Sequence, residues 1–292
     1  MPRVLSRNRM LCGALAALVL VALAPAAAAM GKPRIAALQV GLQARGLYAG
    51  TIHGRADDAT RTALRAFERR RGLAADGLVD RATRTAFGRY GRYGLGARSL
   101  RTGMRGWDVA ALQFLLAWHG FPSGTFDGEL GPRTDAALRR YQAWRGLGAD
   151  GVAGPATVRA LRRDPPPASP LAVRAPLDAA AADRFGPRGS RFHAGIDFPA
   201  RSGARVRAAR AGVVVSAGWD AGGFGNLVVV RHGRGLRTLY AHLAAVRVAK
   251  GERVEAGERL GAVGATGLAT GPHLHLELRV RGAAVDPLPA LR

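Results

Sequence analysis

An internal duplication is the feature that most restricts how the first half of this chain can fold. Residues 35–87 align without gaps on residues 109–161 at a constant offset of 74, and 22 of the 53 aligned positions are identical. A fixed-period repeat of this kind predicts two copies of one supersecondary unit. Within the second copy, the apolar spacing fits helical faces, and glycine-rich turns separate the segments. We therefore expect two small modules of three helices each.

Both modules carry a recurring turn signature. In the second copy it reads G-x-F-D-G-x-x-G-x-x-T at 124–134, followed by G-x-x-x-D-G-x-x-G-x-x-T at 146–157. This pattern resembles the peptidoglycan-binding type 1 domain. The resemblance implies that residues 32–90 and residues 98–163 are modules that hold bacterial cell wall. Spacer modules without a ligand are the alternative.

The first copy departs from this signature at three turn positions. These are His53 in place of Asp127, Asp57 in place of Gly131, and Asp80 in place of Gly154. Because aspartate tolerates a left-handed backbone better than most residues, we expect the turns to form nonetheless. Whether the first copy still binds wall is left open by these residues.

Residues 1–29 have the layout of a secretory signal. Three arginines precede an apolar run from Leu11 to Leu23, and Pro25 and four alanines then offer small residues for a signal peptidase. The run is shorter than the about 20 residues that a membrane span needs. We therefore expect cleavage, no stable membrane insertion afterwards, and a location in the cell envelope, either periplasm or outer wall. An uncleaved anchor is the alternative.

Cysteine count and net charge narrow the chemistry and the partners. The single cysteine, Cys12, lies inside the expected signal, which leaves histidine and carboxylates as metal ligands in the exported chain. The formal net charge of +24 favours an anionic polymer such as the cell envelope as partner. Nucleic acid is not expected, because the basic residues do not alternate with aromatics as they do in single-strand binders. We expect a monomer.

The sequence changes character after a proline-rich segment at residues 164–177. The prolines favour an extended, semi-rigid spacer that lets the modules and the last domain act as tethered units. Residues 178–292 then show short β-rich runs separated by glycine-rich turns, which predicts an all-β antiparallel domain and a multidomain α+β chain overall. The predicted strands are Val206–Ala217, Leu227–Val230, Leu236–Tyr240, Arg253–Val263 and His273–Val280.

An H-x-H pair lies on the last of these predicted strands. Alternation along a strand puts His273 and His275 on one face and the intervening leucines on the other. Upstream, His193 and Asp197 are four residues apart, with Gly195 between them. A catalytic zinc typically takes three nitrogen or oxygen ligands and a water. One imidazole and one carboxylate from the upstream segment, with one imidazole from the pair, complete such a set.

Four motifs spread over this domain strengthen the interpretation. They are R-F-G-P-R at 184–188, F-H-x-G-x-D-F at 192–198, T-L-Y-A-H-L at 238–243 and G-x-T-G-x-x-x-G-P-H-L-H at 264–275. Together they are similar to the M23 family of zinc endopeptidases, the lysostaphin and LytM type. The resemblance implies that His193, Asp197 and His275 bind Zn²⁺, and that His242 and His273 are catalytic.

Four further residues of this domain have a predicted role. Tyr240 and Asn226 are expected to line the substrate cleft. Glu277 shares the strand face of the H-x-H pair and is interpreted as a surface acid rather than as a partner of a metal ligand. His232, near a strand end, is interpreted as structural.

The resulting hypothesis is a secreted zinc metalloendopeptidase that cuts peptidoglycan stem or cross-bridge peptides and is anchored by two wall-binding modules. A non-catalytic wall-binding protein, or an activator of another hydrolase, is the first alternative and predicts eroded ligands. A basic protein that binds nucleic acid or another anionic polymer is the second alternative, and it leaves the histidines unexplained. A glycine bridge and a D-alanyl–diaminopimelate cross-link both remain open as the bond that is cut.

Overall fold

The computed structural model describes residues 30–292. The predicted signal at 1–29, including Cys12, lies outside the described residues. Within residues 30–292, none of the helices combines the length and the apolar content that crossing a membrane requires.

The first half of the described chain forms two modules of three α-helices each, as the duplication predicts. Every helix of the second module begins 74 residues after its counterpart in the first. The first module ends with a short 3₁₀ helix, Gly88–Gly91. The α-helices are α1 (Pro33–Gln43), α2 (Asp58–Arg70), α3 (Arg81–Ala86), α4 (Trp107–Trp118), α5 (Pro132–Trp144) and α6 (Pro155–Arg163).

A buried glutamine organises the first turn of each module in the same way. Gln39 and its counterpart Gln113 accept the backbone N–H of the turn glycine, Gly54 or Gly128, at 2.9 Å in both cases. The same amides donate to the threonine at the start of the following helix. A buried amide satisfied on both sides fixes the turn, since leaving it unpaired would cost about 1–3 kcal/mol.

The turns of the first module form despite its substitutions, but for a different reason from the one expected. Asp57 and Asp80 have φ of −79° and −97°, so neither uses a left-handed backbone. Both are helix N-caps whose carboxylates accept the backbone N–H of Thr60 and Thr83. His53 bonds to Asp57 at 2.9 Å. Such caps stabilise a helix by about 1 kcal/mol.

The second half is an antiparallel β-domain, as predicted. Its main sheet has the order β11-β10-β7-β6-β5-β8, with β3 beside β10 and β9 joining β7 to β4, while β1 and β2 form a separate hairpin. The strands are β1 (Gly186–Arg188), β2 (Arg191–His193), β3 (Ile196–Pro199), β4 (Arg205–Arg207), β5 (Gly212–Asp220), β6 (Gly225–Arg231), β7 (Leu236–Val246), β8 (Arg253–Val254), β9 (Arg259–Val263), β10 (His273–Val280) and β11 (Ala283–Val285).

Two of the predicted runs each contain two strands, and β7 continues to Val246, beyond its predicted end at Tyr240. The run Val206–Ala217 divides into β4 and β5, and the run Arg253–Val263 divides into β8 and β9. In both cases a turn interrupts residues that have strand propensity throughout. Strands β1, β2, β3 and β11 were not predicted, because each has only three or four residues, too few to show alternation.

One hydrophobic cluster joins residues of both modules to residues of the β-domain, so the expectation of tethered units is wrong. Trp118 at the end of α4 packs edge-on against Phe185 and Phe192, with ring centroids 6.3 and 5.4 Å apart. The proline-rich segment lies on the β-domain, where the N–H of Val173 donates to the carbonyl of Ala290 at 2.9 Å. Proline content reports local stiffness, and it carries no information about what the flanking apolar residues contact.

Candidate metal centre

Strand β10 presents the H-x-H pair as its alternation predicts. Its pairing with β3 places His275 directly opposite Asp197, and His273, two pairs further along, lies opposite Pro199. Both imidazoles leave the face that borders an open cleft. The alternate residues, which form part of the core beneath the sheet, are Leu274, Leu276 and Leu278, all fully buried.

Three donor atoms from separate strands converge on one point. Asp197 Oδ1 is 3.1 Å from His193 Nε2 and 2.8 Å from His275 Nδ1, and these two nitrogens are 3.0 Å apart. When both rings are neutral, two nitrogen lone pairs this close favour a cation between them. In a tetrahedral site with bonds of about 2.0–2.1 Å, ligand atoms lie about 3.3 Å apart. The observed triangle, which has nitrogen and oxygen donors, therefore fits a metal such as zinc.

Hydrogen bonds on the far side of each ring select the nitrogen that faces this point. The Nδ1–H of His193 donates to the carbonyl of Arg184 at 3.0 Å, which leaves Nε2 as the ligand atom. The Nε2–H of His275 donates to Glu277 at 3.2 Å, which leaves Nδ1. Such partners fix the tautomer and the orientation of a metal-binding imidazole.

Glu277 is part of the site, and its interpretation as a surface acid is wrong. Only 3% of its surface is exposed, and its second oxygen accepts Arg279 Nε at 2.6 Å. Burial alone would raise the pKa of Glu277, but His275 and Arg279 outweigh burial and lower it. The sequence did contain a sign of this role, because strand alternation places Glu277 on the same face of β10 as His273 and His275.

The surroundings favour positive charge where the three donors meet. Burial would lower the pKa of His275, but hydrogen bonds to Asp197 and Glu277 raise it to about 9. Burial would raise the pKa of Asp197, but hydrogen bonds from His193 and His275 hold it well below its ordinary value. The carboxylate is therefore ionised at neutral pH and can neutralise part of the charge of a cation.

Two more imidazoles face the same cleft. The Nδ1–H of His242 donates to the carbonyl of Thr266, and that of His273 to the carbonyl of Gly271, both at 2.8 Å. Each ring therefore keeps Nε2 free for chemistry. The ring centroids are 4.8 Å apart, and His273 Nε2 lies 3.9 Å from Asp197 Oδ1. The structure thus brings all five predicted side chains together.

His242 reaches the cleft through an irregular backbone. Its φ is +61°, a left-handed conformation that costs a non-glycine residue roughly 1–2 kcal/mol, and the pairing of β6 with β7 shifts register next to it. The bulge interrupts alternation, so His242 and Tyr240 face opposite sides although they are two residues apart. Backbone strain of this kind concentrates at functional sites.

Tyr240 and Asn226 do not line the cleft, which corrects their predicted role. Tyr240 is 0% exposed, and its hydroxyl oxygen accepts the backbone N–H of Ala209 at 2.8 Å and the hydroxyl of Thr238 at 2.9 Å. The side chain of Asn226 donates to the carbonyl of Leu243 at 3.0 Å. Both residues support the sheet instead.

Burial and loop contacts set the protonation of His242 and the shape of the cleft. Burial lowers the pKa of His242 more than its bond to Thr266 raises it, so the ring is neutral at neutral pH. The cleft has a volume of about 680 Å³, and Phe224 and Leu268 line it together with the histidines. His232 lies outside it, bonded to the carbonyl of Ala211 and to Thr238, as its structural interpretation predicts.

Comparison with known proteins agrees with this arrangement. Residues 191–287 match the model of peptidase family M23, and residues 31–87 and 105–161 match the putative peptidoglycan binding domain. The DD-carboxypeptidase/endopeptidase Mpg of Neisseria meningitidis serogroup B is 50% identical over 98 residues, which are 34% of this chain and 22% of that protein. The peptidoglycan DD-endopeptidase ShyA of Vibrio cholerae is 44% identical over 98 residues, again 34% of this chain and 23% of that protein.

One solved structure is similar over nearly its whole length. The catalytic domain of the antimicrobial peptidase lysostaphin from Staphylococcus simulans is 34% identical, over 38% of this chain and 91% of that domain, with a TM-score of 0.37. Because that score is low, the sequence identity and the family model carry the assignment. The chain spans about a fifth of the length of the curated relatives named above.

An antiparallel β-domain with convergent nitrogen and oxygen donors in an open cleft agrees with the match of residues 191–287 to a peptidase family. Through this domain the chain belongs to peptidase family M23, and two putative peptidoglycan binding domains precede it.

Proposed function

We propose that this protein is a zinc metalloendopeptidase, exported to the cell envelope, that hydrolyses peptide bonds in the stem or cross-bridge peptides of peptidoglycan. The single observation that carries the proposal is the triangle of donor atoms, 2.8–3.1 Å on a side, with two further imidazoles beside it. The name of one relative, the peptidoglycan DD-endopeptidase ShyA, and the matches to the putative peptidoglycan binding domain support peptidoglycan as the substrate class.

In this proposal His193, Asp197 and His275 hold the zinc. When bound, zinc lowers the pKa of a water toward ~7 and polarises the scissile carbonyl. The remaining steps belong to side chains of the protein. The hydrogen bond that His275 Nε2–H donates to Glu277 keeps this ring in the tautomer that presents Nδ1. The hydrogen bond that His193 Nδ1–H donates to the carbonyl of Arg184 keeps the other ring in the tautomer that presents Nε2.

His242 and His273 would move the proton. Because Nδ1 of each ring is already a donor, Nε2 is the atom that accepts a proton from the attacking water. The lowered pKa of His242 keeps its ring available as a base at neutral pH. Once protonated, Nε2 becomes a donor that can stabilise the developing oxyanion and then return the proton to the leaving amine nitrogen.

We also propose the cleft between the two modules as the surface that contacts the wall. It has a volume of about 710 Å³ and no acidic residue among its described lining residues. Apolar side chains such as Leu38 and Trp107 line it, and Lys32, Arg34 and Arg61 border it. Peptide stems that bear carboxylates are the anionic ligands that such a cleft would accept.

The test combines metal content with lysis. The purified protein should hold about one Zn²⁺ per chain and clear a peptidoglycan gel, whereas His275→Ala, His242→Ala and treatment with a chelator should each abolish clearing. His53→Ala, in the first module, is the control that changes a histidine outside the site. Lysis that survives His275→Ala would refute the assignment.

The alternative of an activator of another hydrolase predicts a different pattern. An activator would bind the wall and stimulate a second enzyme equally well with or without His275. Mass analysis of the fragments released from a defined peptidoglycan would identify the bond that is cut.

A further inference from the structure

The β1–β2 hairpin carries an arginine that reaches the metal-binding carboxylate. Arg188 Nη2 lies 2.9 Å from Asp197 Oδ2 and 2.9 Å from Asp183 Oδ2. Asp183 is in turn bridged to Asp197 through the backbone, since the N–H of Asp197 donates to its carbonyl at 2.9 Å. One guanidinium nitrogen therefore joins two carboxylates that are already neighbours in the fold.

Because of this contact, the two carboxylate oxygens of Asp197 have different partners. Oδ1 faces His193 and His275, whereas Oδ2 is held by Arg188. The carboxylate of Asp197 is mostly buried, but half of the Arg188 side chain is exposed. An exposed arginine side chain keeps one position only if the backbone that carries it is fixed. The position of Arg188 therefore depends on the contacts that hold the β1–β2 hairpin.

The two modules hold the tip of this hairpin through equivalent atoms. The N–H of Ile52 donates to the carbonyl of Gly189 at 2.9 Å, and the N–H of Phe126 donates to the carbonyl of Ser190 at 2.7 Å. Ile52 and Phe126 occupy the same position of the repeat, 74 residues apart. Thr51 adds a bond by accepting the N–H of Gly189 at 3.2 Å. The duplicated turn thus provides a symmetric pair of donors to one acceptor segment.

Contacts on both sides of the hairpin complete the docking. Trp118 packs against Phe192 on β2 and against Phe185 just before β1. Gly120 accepts the N–H of Ala284 on β11 at 3.0 Å, and a Cβ at Gly120 would lie 2.3 Å from the carbonyl oxygen of Ala284. Strand β11 pairs with β10, which carries His275. The modules therefore contact β2, which supplies His193, and β11, which pairs with the strand that supplies His275.

We propose that Arg188 is a positioning residue for the Asp197 carboxylate, and that the two docked modules keep it in place by clamping the hairpin that carries it. This inference rests on the proposed metal site. It makes the modules part of the metal-binding unit in addition to any role at the wall.

The direction of the change in Zn²⁺ affinity on replacing Arg188 distinguishes a positioning role from a purely electrostatic one. A cation near a metal site repels the metal, so removal of a purely electrostatic arginine would tighten metal binding. Removal of a residue that orients a ligand weakens binding, typically by about 10–100-fold. Arg188→Met should therefore weaken Zn²⁺ binding by about 10–100-fold, as measured by competition with a chromogenic chelator. Arg188→Lys should recover part of the loss, because a single nitrogen makes both contacts.

Arg191 supplies the charge control, since it pairs with Arg188 across the same hairpin and, among the described residues, forms no ion pair. Arg191→Met should leave Zn²⁺ affinity unchanged or slightly tighter. The absorption spectrum of the Co²⁺-loaded protein should change for Arg188→Met and stay constant for Arg191→Met. Unchanged or tighter Zn²⁺ binding by the Arg188→Met protein would overturn the role of Arg188.

The repeat provides a matched pair to test the clamp. Gly120 and its counterpart Gly46 both have a left-handed backbone, with φ of +86° and +67°, but no atom lies within 4 Å of a Cβ built on Gly46. Gly120→Ala should weaken Zn²⁺ binding toward the Arg188→Met value, whereas Gly46→Ala, with a similar backbone strain, should not. Equal affinities of the two proteins would overturn the clamp.

If Gly120→Ala fails to fold, Thr51→Val replaces it. The matched control is Thr125→Val at the equivalent repeat position, and only Thr51→Val should weaken Zn²⁺ binding. Equal affinities of these two proteins would again overturn the clamp. A wild-type protein that binds no Zn²⁺ would refute the proposed function itself, whereas wild-type binding with an unaffected Arg188→Met protein would refute this inference alone.

Discussion

Gly195, between β2 and β3, is a position where the addition of one methyl group should disturb the proposed metal centre. A Cβ at Gly195 would lie 2.3 Å from the carbonyl oxygen of Leu276 and 2.8 Å from His275 Cε1. Ordinary contacts between such atoms are about 3.5 Å, so Gly195→Ala requires β3 and β10 to separate by about 1 Å. The donor triangle between these strands is only 2.8–3.1 Å on a side.

A displacement of about 1 Å in an active site costs about 10²-fold in rate. We therefore expect Gly195→Ala to lower the kcat/KM for a soluble peptide by about 10²-fold and to weaken Zn²⁺ binding, while the protein remains folded. Gly233→Ala is the control, because no atom lies within 4 Å of a Cβ there. Calorimetry or circular dichroism shows whether each protein is folded. A Gly195→Ala protein with wild-type kcat/KM would refute the inferred close packing of the two strands.

Three other changes test separate parts of the account. Glu277→Gln should weaken Zn²⁺ binding by about 10–100-fold, because it removes a charged acceptor behind His275; chelator competition measures this, and an unchanged affinity would contradict the role given to Glu277. Tyr240→Phe should leave kcat/KM unchanged and lower the free energy of unfolding by roughly 1–3 kcal/mol, because the lost hydroxyl accepts two buried hydrogen bonds. A loss of activity without a loss of stability would instead support the cleft-lining role predicted from the sequence. Burial lowers the pKa of His119 and of His232 in the folded state, so the unfolded state binds more protons below the ordinary histidine pKa of about 6.5. The stability that these two residues contribute should therefore be complete above that pH and be lost as the pH drops below it. Urea denaturation should show a smaller loss for His119→Gln than for the wild type, and equal slopes for both proteins would contradict this assignment.

The sequence alone predicted those features that depend on strand alternation or on the internal repeat. Strand alternation placed His273 and His275 on one face and the leucines on the other, and the offset of 74 predicted two modules of equal helix count. The donor set was readable because its members occur in short motifs of fixed spacing. These features depend on neighbours close in the sequence or on the repeat itself.

Other features depend on tertiary contacts that short-range patterns do not contain. The left-handed backbone at His242 interrupts alternation, which is why Tyr240 faces the core although it lies two residues before a histidine of the cleft. Glu277 is buried because Arg279 and His275 pair with it. The docking of Trp118 onto the β-domain joins residues more than 60 positions apart, so no local pattern predicts it.

The central claim is that three named atoms bind one metal ion. A crystal structure of the zinc-loaded protein, with anomalous diffraction recorded at the zinc absorption edge, tests this claim most directly. We expect one strong anomalous peak within about 2.0–2.2 Å of His193 Nε2, Asp197 Oδ1 and His275 Nδ1. A peak bound instead through Nε2 of His275, or located away from Asp197, would contradict this claim.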